Sequence, residues 1–187
     1  MQLNSRDDAE AWAAKIDVSG IKSKYTRSRT VRNAADFYQL IGKDLAVEVV
    51  HGQSKNGRAC ANPLDNSISL PEGTSPNYHK KTQFHEMGHF TEFRDPDSGR
   101  MAKDWIQGRA EGEAKSIAEL TGNSGYRASE TALPDKFIHP YVGKLYPGSI
   151  TEVHSMGLES FADGHSVTEL FKKDRDHFNL MIRYIRQ

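Results

Sequence analysis

Residues 75–96 read Ser75-Pro76-Asn-Tyr-His-Lys-Lys-Thr-Gln-Phe84-His85-Glu86-Met87-Gly88-His89-Phe90-Thr-Glu92-Phe93-Arg94-Asp95-Pro96. Pro76 stands where a helix tolerates proline, in its first turn, and Pro96 marks where the run stops. Tyr78, Phe84, Met87 and Phe90 supply apolar positions between them, so the spacing predicts a helix from Pro76 to about Phe93. Inside it lies His85-Glu86-Met87-Gly88-His89, the HExxH pattern. Two histidines four apart stand about 40° apart on the helix wheel and one turn apart along it, so both rings reach one ion. Glu86 adjoins that face, placed to hold a water without binding the ion. The plain alternative is two exposed histidines on a polar helix face. Gly88 costs the helix about 1 kcal/mol against alanine; that cost makes sense if a strand or a substrate must approach the helix there.

Upstream, residues 44–51 are β-branched and bounded by Gly42 and Gly52, which predicts a strand. Residues 54–58 read as a turn, and 59–61 and 67–70 as shorter extended segments. Ala9, Trp12, Ala13 and Ile16 give a helical pattern over 6–16, and a second spans 31–42. The basic stretch from Lys22 to Arg29 between them reads as a solvated loop. Downstream, a helix is predicted over 101–121, closed by Gly122 and Gly125, then a long structured loop over 122–148. Residues 149–187 are mostly helical, with Phe171, Phe178, Met181, Ile182 and Ile185 as the final apolar face. Strands early and helices late predict an α+β fold, with 1–187 a single domain.

Composition narrows the function. The 187 residues carry 25 Lys+Arg against 25 Asp+Glu, which argues against a strongly basic nucleic-acid binder. No run approaches the roughly 20 apolar residues of a membrane helix. The acidic, polar start predicts no signal peptide, hence a cytoplasmic chain as given. Cys60 stands alone, cannot form an internal disulfide, and is expected to be an inert core residue.

A catalytic zinc site takes three protein ligands and an open position. Glu92 shares the face of His85 but lies about 10 Å along the axis, so a surface or outer carboxylate is the expectation for it. That leaves an acid from a later element: Glu111 or Glu113, Glu152, or Glu159. Glu111 to Glu119 also read as the wet side of a helix, Glu152 as the partner of Ser149 in a capping box, and Glu159 and Asp163 as solvated. Glu152 and Glu159 share a face two turns apart, so one of them is expected to bind. His139, His154 and His165 are expected to be surface or hydrogen-bonded residues.

HEMGH resembles the zincin metallopeptidases. Glu152-Val-His-Ser155-Met156 is similar to the second-helix motif of their thermolysin-like branch, except that Met156 stands where an Asp would orient a zinc histidine. Over roughly residues 80–187, HEMGH, Arg109-Ala-Glu-Gly112-Glu113, Pro140-Tyr141-Val-Gly-Lys144-Leu-Tyr146 and Thr151-Glu152-Val-His-Ser155-Met156-Gly157-Leu-Glu159 look like the metallopeptidase domain of phage head-associated proteins and bacterial polymorphic toxins. The resemblance implies a zincin-like fold: a small N-terminal sheet, an active-site helix and a mostly helical C-terminal part. It tilts the third ligand towards Glu152 and sets the Tyr141–Tyr146 loop near the site.

The expectation is therefore a zinc metalloendopeptidase. His85, His89 and Glu152 would hold Zn²⁺, Glu86 would be the base, and Tyr146, with Tyr141 second, would stabilise the oxyanion. An edge strand from the 44–70 sheet would align an extended peptide. The partners expected are a protein or peptide substrate and, by analogy with toxins, an inhibitor or immunity protein, with no nucleic acid and no membrane; delivery by a secretion system or phage particle is part of the same analogy. The alternatives are a zincin-shaped binding module of a phage or secretion assembly without turnover, and a zinc hydrolase of a non-peptide bond.

Overall fold

The computed structural model describes residues 4–43, 49–51, 57–148 and 150–187. Helix α1 (Arg6–Ala13) is capped by Ser5, which accepts the Asp8 amide. Helix α2 (Lys24–Ile41) is capped by Ser23 and ends at Gly42 with φ 68°. The basic stretch expected as a loop therefore forms the first turns of α2: Ser23 satisfies an orphan amide, and the run after it contains no breaker. Strands β1 (Val49–His51), β2 (Cys60–Asn62) and β3 (Ser67–Ser69) form a sheet in the order β1-β3-β2. β1 runs parallel and β2 antiparallel to β3, with Ala61 opposite Ile68. Of the strand expected over 44–51, residues 44–48 lie outside the described residues, as do 54–56 of the expected turn.

Helix α3 (Pro76–Arg94) carries the HExxH pattern. Ser75 accepts the Tyr78 amide and Pro76 opens the first turn, as the sequence predicts. Ten of its 19 residues are buried, so α3 is a central helix enclosed on most sides rather than an amphipathic surface one. Pro96 does not simply end it. Asp95 accepts the amides of Asp97 and Ser98 and starts α4 (Pro96–Arg109) at once. The helix expected over 101–121 is thus two: α4 ends at Arg109, Gly112 turns with φ 89°, and β4 (Lys115–Ser116) precedes α5 (Ile117–Thr121). β4 pairs with β5 (Thr131–Ala132), and a 3-10 helix spans Pro140–Gly143, so the 122–148 segment is pinned by backbone pairing. The last third comprises α6 (Val153–Ser160), α7 (Gly164–Lys173) and α8 (Arg175–Ile185). No helix among the described residues is long and apolar enough to cross a membrane.

The core gathers Phe37 of α2, Ile68 of β3, Phe84, Met87 and Phe90 of α3, Leu158 of α6 and Met181 of α8. α3 packs most extensively against α6. A Cβ on Gly88 would stand 2.7 Å from Ser155 Cα and 3.2 Å from the His154 carbonyl. The close approach at Gly88 is therefore made by the backbone of α6, not by a strand or a substrate. Gly88→Val is expected to cost about 3 kcal/mol, the upper end of the overpacking range. Urea denaturation of chelator-treated protein measures it, with Gly108→Val as control, since a Cβ on Gly108 meets nothing within 4 Å.

The α2–α3 seam is polar. His79 Nε2 lies 3.0 Å from Thr30 Oγ1, Asn33 donates to Gln83, and Gln83 donates to the Thr30 carbonyl. Burial pushes the fully enclosed His79 down to about 4, helped by the charge of Arg29. Its folded value lies below the unfolded one, so the unfolded chain binds the extra proton and stability is lost as pH falls below about 6.5. His79→Asn should remove about 2 kcal/mol of the decline in unfolding free energy between pH 7 and pH 5, measured on chelated protein. A slope unchanged by the substitution would show that His79 does not titrate this way.

Candidate metal centre

His85 and His89 lie one turn apart on α3, both largely buried. Opposite them stands Glu152, the residue immediately before α6 and 1% exposed. Its Oε2 lies 3.3 Å from His85 Nε2 and 3.3 Å from His89 Nε2. One ligand atom from each of the three residues falls within 4.8 Å of the others. Around an ion bound at 2.0–2.1 Å, the ligand-to-ligand edge of a tetrahedron is about 3.3–3.4 Å. The two nitrogens thus converge on one carboxylate oxygen at the spacing a zinc ion sets, and the residues fit the group.

The placing of Glu152 depends on another carboxylate. Glu92, the last buried residue of α3, accepts the Thr151 amide at 2.6 Å, the Thr151 hydroxyl at 2.7 Å and the His154 amide at 3.4 Å. It acts as the acceptor for the first turn of α6 and holds the segment that carries Glu152. Of the two expectations for it, a surface or an outer carboxylate, the outer one fits: Glu92 is buried, and burial drives it up to about 7 against the pull of Thr151 and His154. Because α6 begins at Val153, Glu152 precedes the helix instead of standing third in it, so the capping-box explanation of Glu152 does not apply; Ser149 lies outside the described residues.

Glu152 also accepts from Ser155 Oγ at 2.6 Å on Oε2, and from Tyr146 Oη on Oε1. Burial pushes its pKa up, but the His85 hydrogen bond, the His89 and His85 charges and Ser155 outweigh it and hold it near 2. His85 is driven the other way. Burial lowers it, the hydrogen bonds to Glu152 and Glu159 raise it, and the net value is about 10, so a metal bound there would displace the Nε2 proton. His89 is held neutral near 4, chiefly by burial, and neutral imidazole is the form that ligates a metal. Glu86 is buried beside the pair and accepts the Ala61 backbone amide. Burial raises it to about 7, with the charge of His85 opposing.

A cleft of about 320 Å³ opens onto these groups, lined by Ala59, Cys60 and Ala61 on one side and Tyr141, Tyr146 and Ile150 on the other. Among the described residues β2 pairs only with β3, and the Ala61 amide on its outer edge points to Glu86. Cys60 is exposed in this wall, not a core residue, because β2 is an edge strand. Tyr141 Oη accepts from Lys144 Nζ at 2.8 Å, and Lys144 is tied to Glu130 at 3.0 Å. The ammonium lies 4.5 Å from the centroids of both Tyr141 and Tyr146.

None of the remaining candidates adds a ligand atom to this cluster among the described residues. Glu111 and Glu113 are exposed on the turn after α4. Glu159 Oε2 meets His85 Nδ1 at 3.0 Å, on the outer side of the ring. Asp163 caps α7 and pairs with Lys81. His154 is fully buried, with Nδ1 against Thr91 and Ser98; His139 caps the 3-10 helix and His165 is exposed. The sequence reading missed the burial of Glu92 and the Lys144 ammonium behind the tyrosines. The only signal for Glu92 was its place one heptad after His85 on the same helix face. No family model, no curated protein and no solved structure matches this chain.

Proposed function

We propose that the chain is a zinc-dependent peptide hydrolase. The observation that carries this reading is the convergence of His85 Nε2 and His89 Nε2 on Glu152 Oε2, with the carboxylate of Glu86 buried beside them. Bound there, zinc would acidify a water molecule to a pKa near 7 and polarise the scissile carbonyl. Glu86 accepts the proton of the attacking water and returns it to the leaving amine. The Ala61 amide holds the Glu86 carboxylate on the lining of the cleft. Tyr146 restrains the outer oxygen of Glu152, which leaves Oε2 for the ion. Tyr141, backed by the Lys144 ammonium, presents a phenol to the cleft as the hydrogen-bond source for a developing oxyanion; Tyr146 joins it only by turning its one O–H away from Glu152.

Peptide bonds are favoured over other substrates by the wall of the cleft. Among the described residues β2 has no strand on its outer edge, alongside the site, and an extended chain docks on such an edge by backbone pairing. A module that binds without turnover is the competing reading, and it is distinguished by assay. Purified protein should carry one equivalent of zinc and hydrolyse an unfolded protein substrate in a chelator-sensitive way. Zinc without any hydrolysis across a panel of unfolded proteins and peptides would favour the binding module; no zinc would remove both readings.

A further inference from the structure

We infer that Glu159, near the end of α6, is a positioning residue that sets the tautomer and orientation of His85; the inference rests on the metal reading above. His85 uses its two ring nitrogens on two different carboxylates. Nε2 faces Glu152 Oε2 at 3.3 Å, and Nδ1 faces Glu159 Oε2 at 3.0 Å. A proton held on Nδ1 by an acceptor leaves the Nε2 lone pair free for an ion, and a negatively charged acceptor makes that lone pair more basic. Glu152 and Glu159 are seven residues apart, two turns along one face and about 10 Å along the axis. The imidazole lies across that interval, so one face of α6 reaches both sides of the ring. Met156, between them, packs against the core instead.

The environment of Glu159 fits this role better than that of a general surface acid. Asp36, Asp97, Asp135, Asp163 and Glu169 each pair with a lysine or arginine. Glu159, with its side chain 32% exposed, has His85 as its only ion-pair partner among the described residues. His89 receives no equivalent support: its Nδ1 is buried with no partner among the described residues. The grip on the ion is therefore asymmetric, with His85 braced and His89 positioned by packing against Phe93 at 6.0 Å between ring centroids.

Competition against a chromophoric chelator, with zinc alone as the probe, separates this from a purely structural ion pair. Glu159→Ala should weaken zinc binding 10–100-fold at unchanged stoichiometry, and Glu159→Gln, which keeps an acceptor, should lose less. In the zinc-loaded wild type the His85 Nδ1–H should give a slowly exchanging NMR resonance that Glu159→Ala abolishes. Melting of the chelated proteins checks that the variants fold alike. Wild-type affinity in Glu159→Ala, with zinc lost in His85→Ala, would overturn the inference and leave the metal centre standing. A wild type that binds no zinc would overturn both.

Discussion

Glu86→Gln should keep one equivalent of zinc and lose roughly 10²–10⁴-fold in hydrolysis, the range for removal of a general base. The substitution is nearly isosteric, and Glu86 lies beside the three converging ligand atoms without being one of them. Gln still accepts the Ala61 amide through its carbonyl oxygen, so the wall of the cleft stays in place. What it cannot do is take a proton from water and hand it to a leaving nitrogen. Metal analysis and kcat/KM on an unfolded protein substrate, measured on the same preparation, check both halves. Retained hydrolysis at full zinc content would remove Glu86 from the chemistry, and a joint loss of zinc and activity would show that the residue acts on the metal instead.

Glu152→Ala should have the largest effect on metal binding, exceeding the 10–100-fold expected for loss of an outer partner. It removes the one oxygen on which both imidazoles converge. It also leaves Tyr146 Oη without its carboxylate acceptor, whereas Ser155 Oγ keeps the backbone carbonyl of residue 152 at 3.1 Å. Because the carboxylate is buried and ionised, its loss should destabilise the chelated protein as well, by about 3 kcal/mol. Zinc titration and urea denaturation read the two effects separately. Glu111→Ala serves as control, because Glu111 is exposed on a turn and should change neither. If Glu152→Ala held zinc as tightly as the wild type, the third ligand would lie elsewhere and the geometry of α6 would not be the reason for the site.

These outcomes depend on contacts that differ in how far apart they lie along the chain. The helix that carries His85, Glu86 and His89 was readable from one short segment, because Ser75, Pro76 and the apolar spacing act within a turn or two of each other. The strands flanking residues 63–66 were readable for the same reason. α4 was misjudged because its amphipathic pattern continues past the point where Gly112 and the β4–β5 pairing turn the chain. Lys22 to Arg29 was misjudged because charge indicates solvent exposure, and an exposed helix face satisfies that as well as a loop does.

The order of residues alone determined that two imidazoles and a carboxylate share one helix, since a helical repeat of 3.6 residues leaves no freedom in that spacing. It narrowed the candidate third ligand to a few acids, each with an ordinary local explanation, and only the resemblance favoured Glu152 among them. Tertiary packing is what brings Glu152, and none of the others, to both imidazoles. Gly88 lets the backbone of α6 close on α3, Glu92 binds the first turn of α6 across 59 residues or more, and Glu159 reaches His85 across 74. Such pairings are set by the depth at which two helices meet, which is a property of the folded chain and of no segment within it.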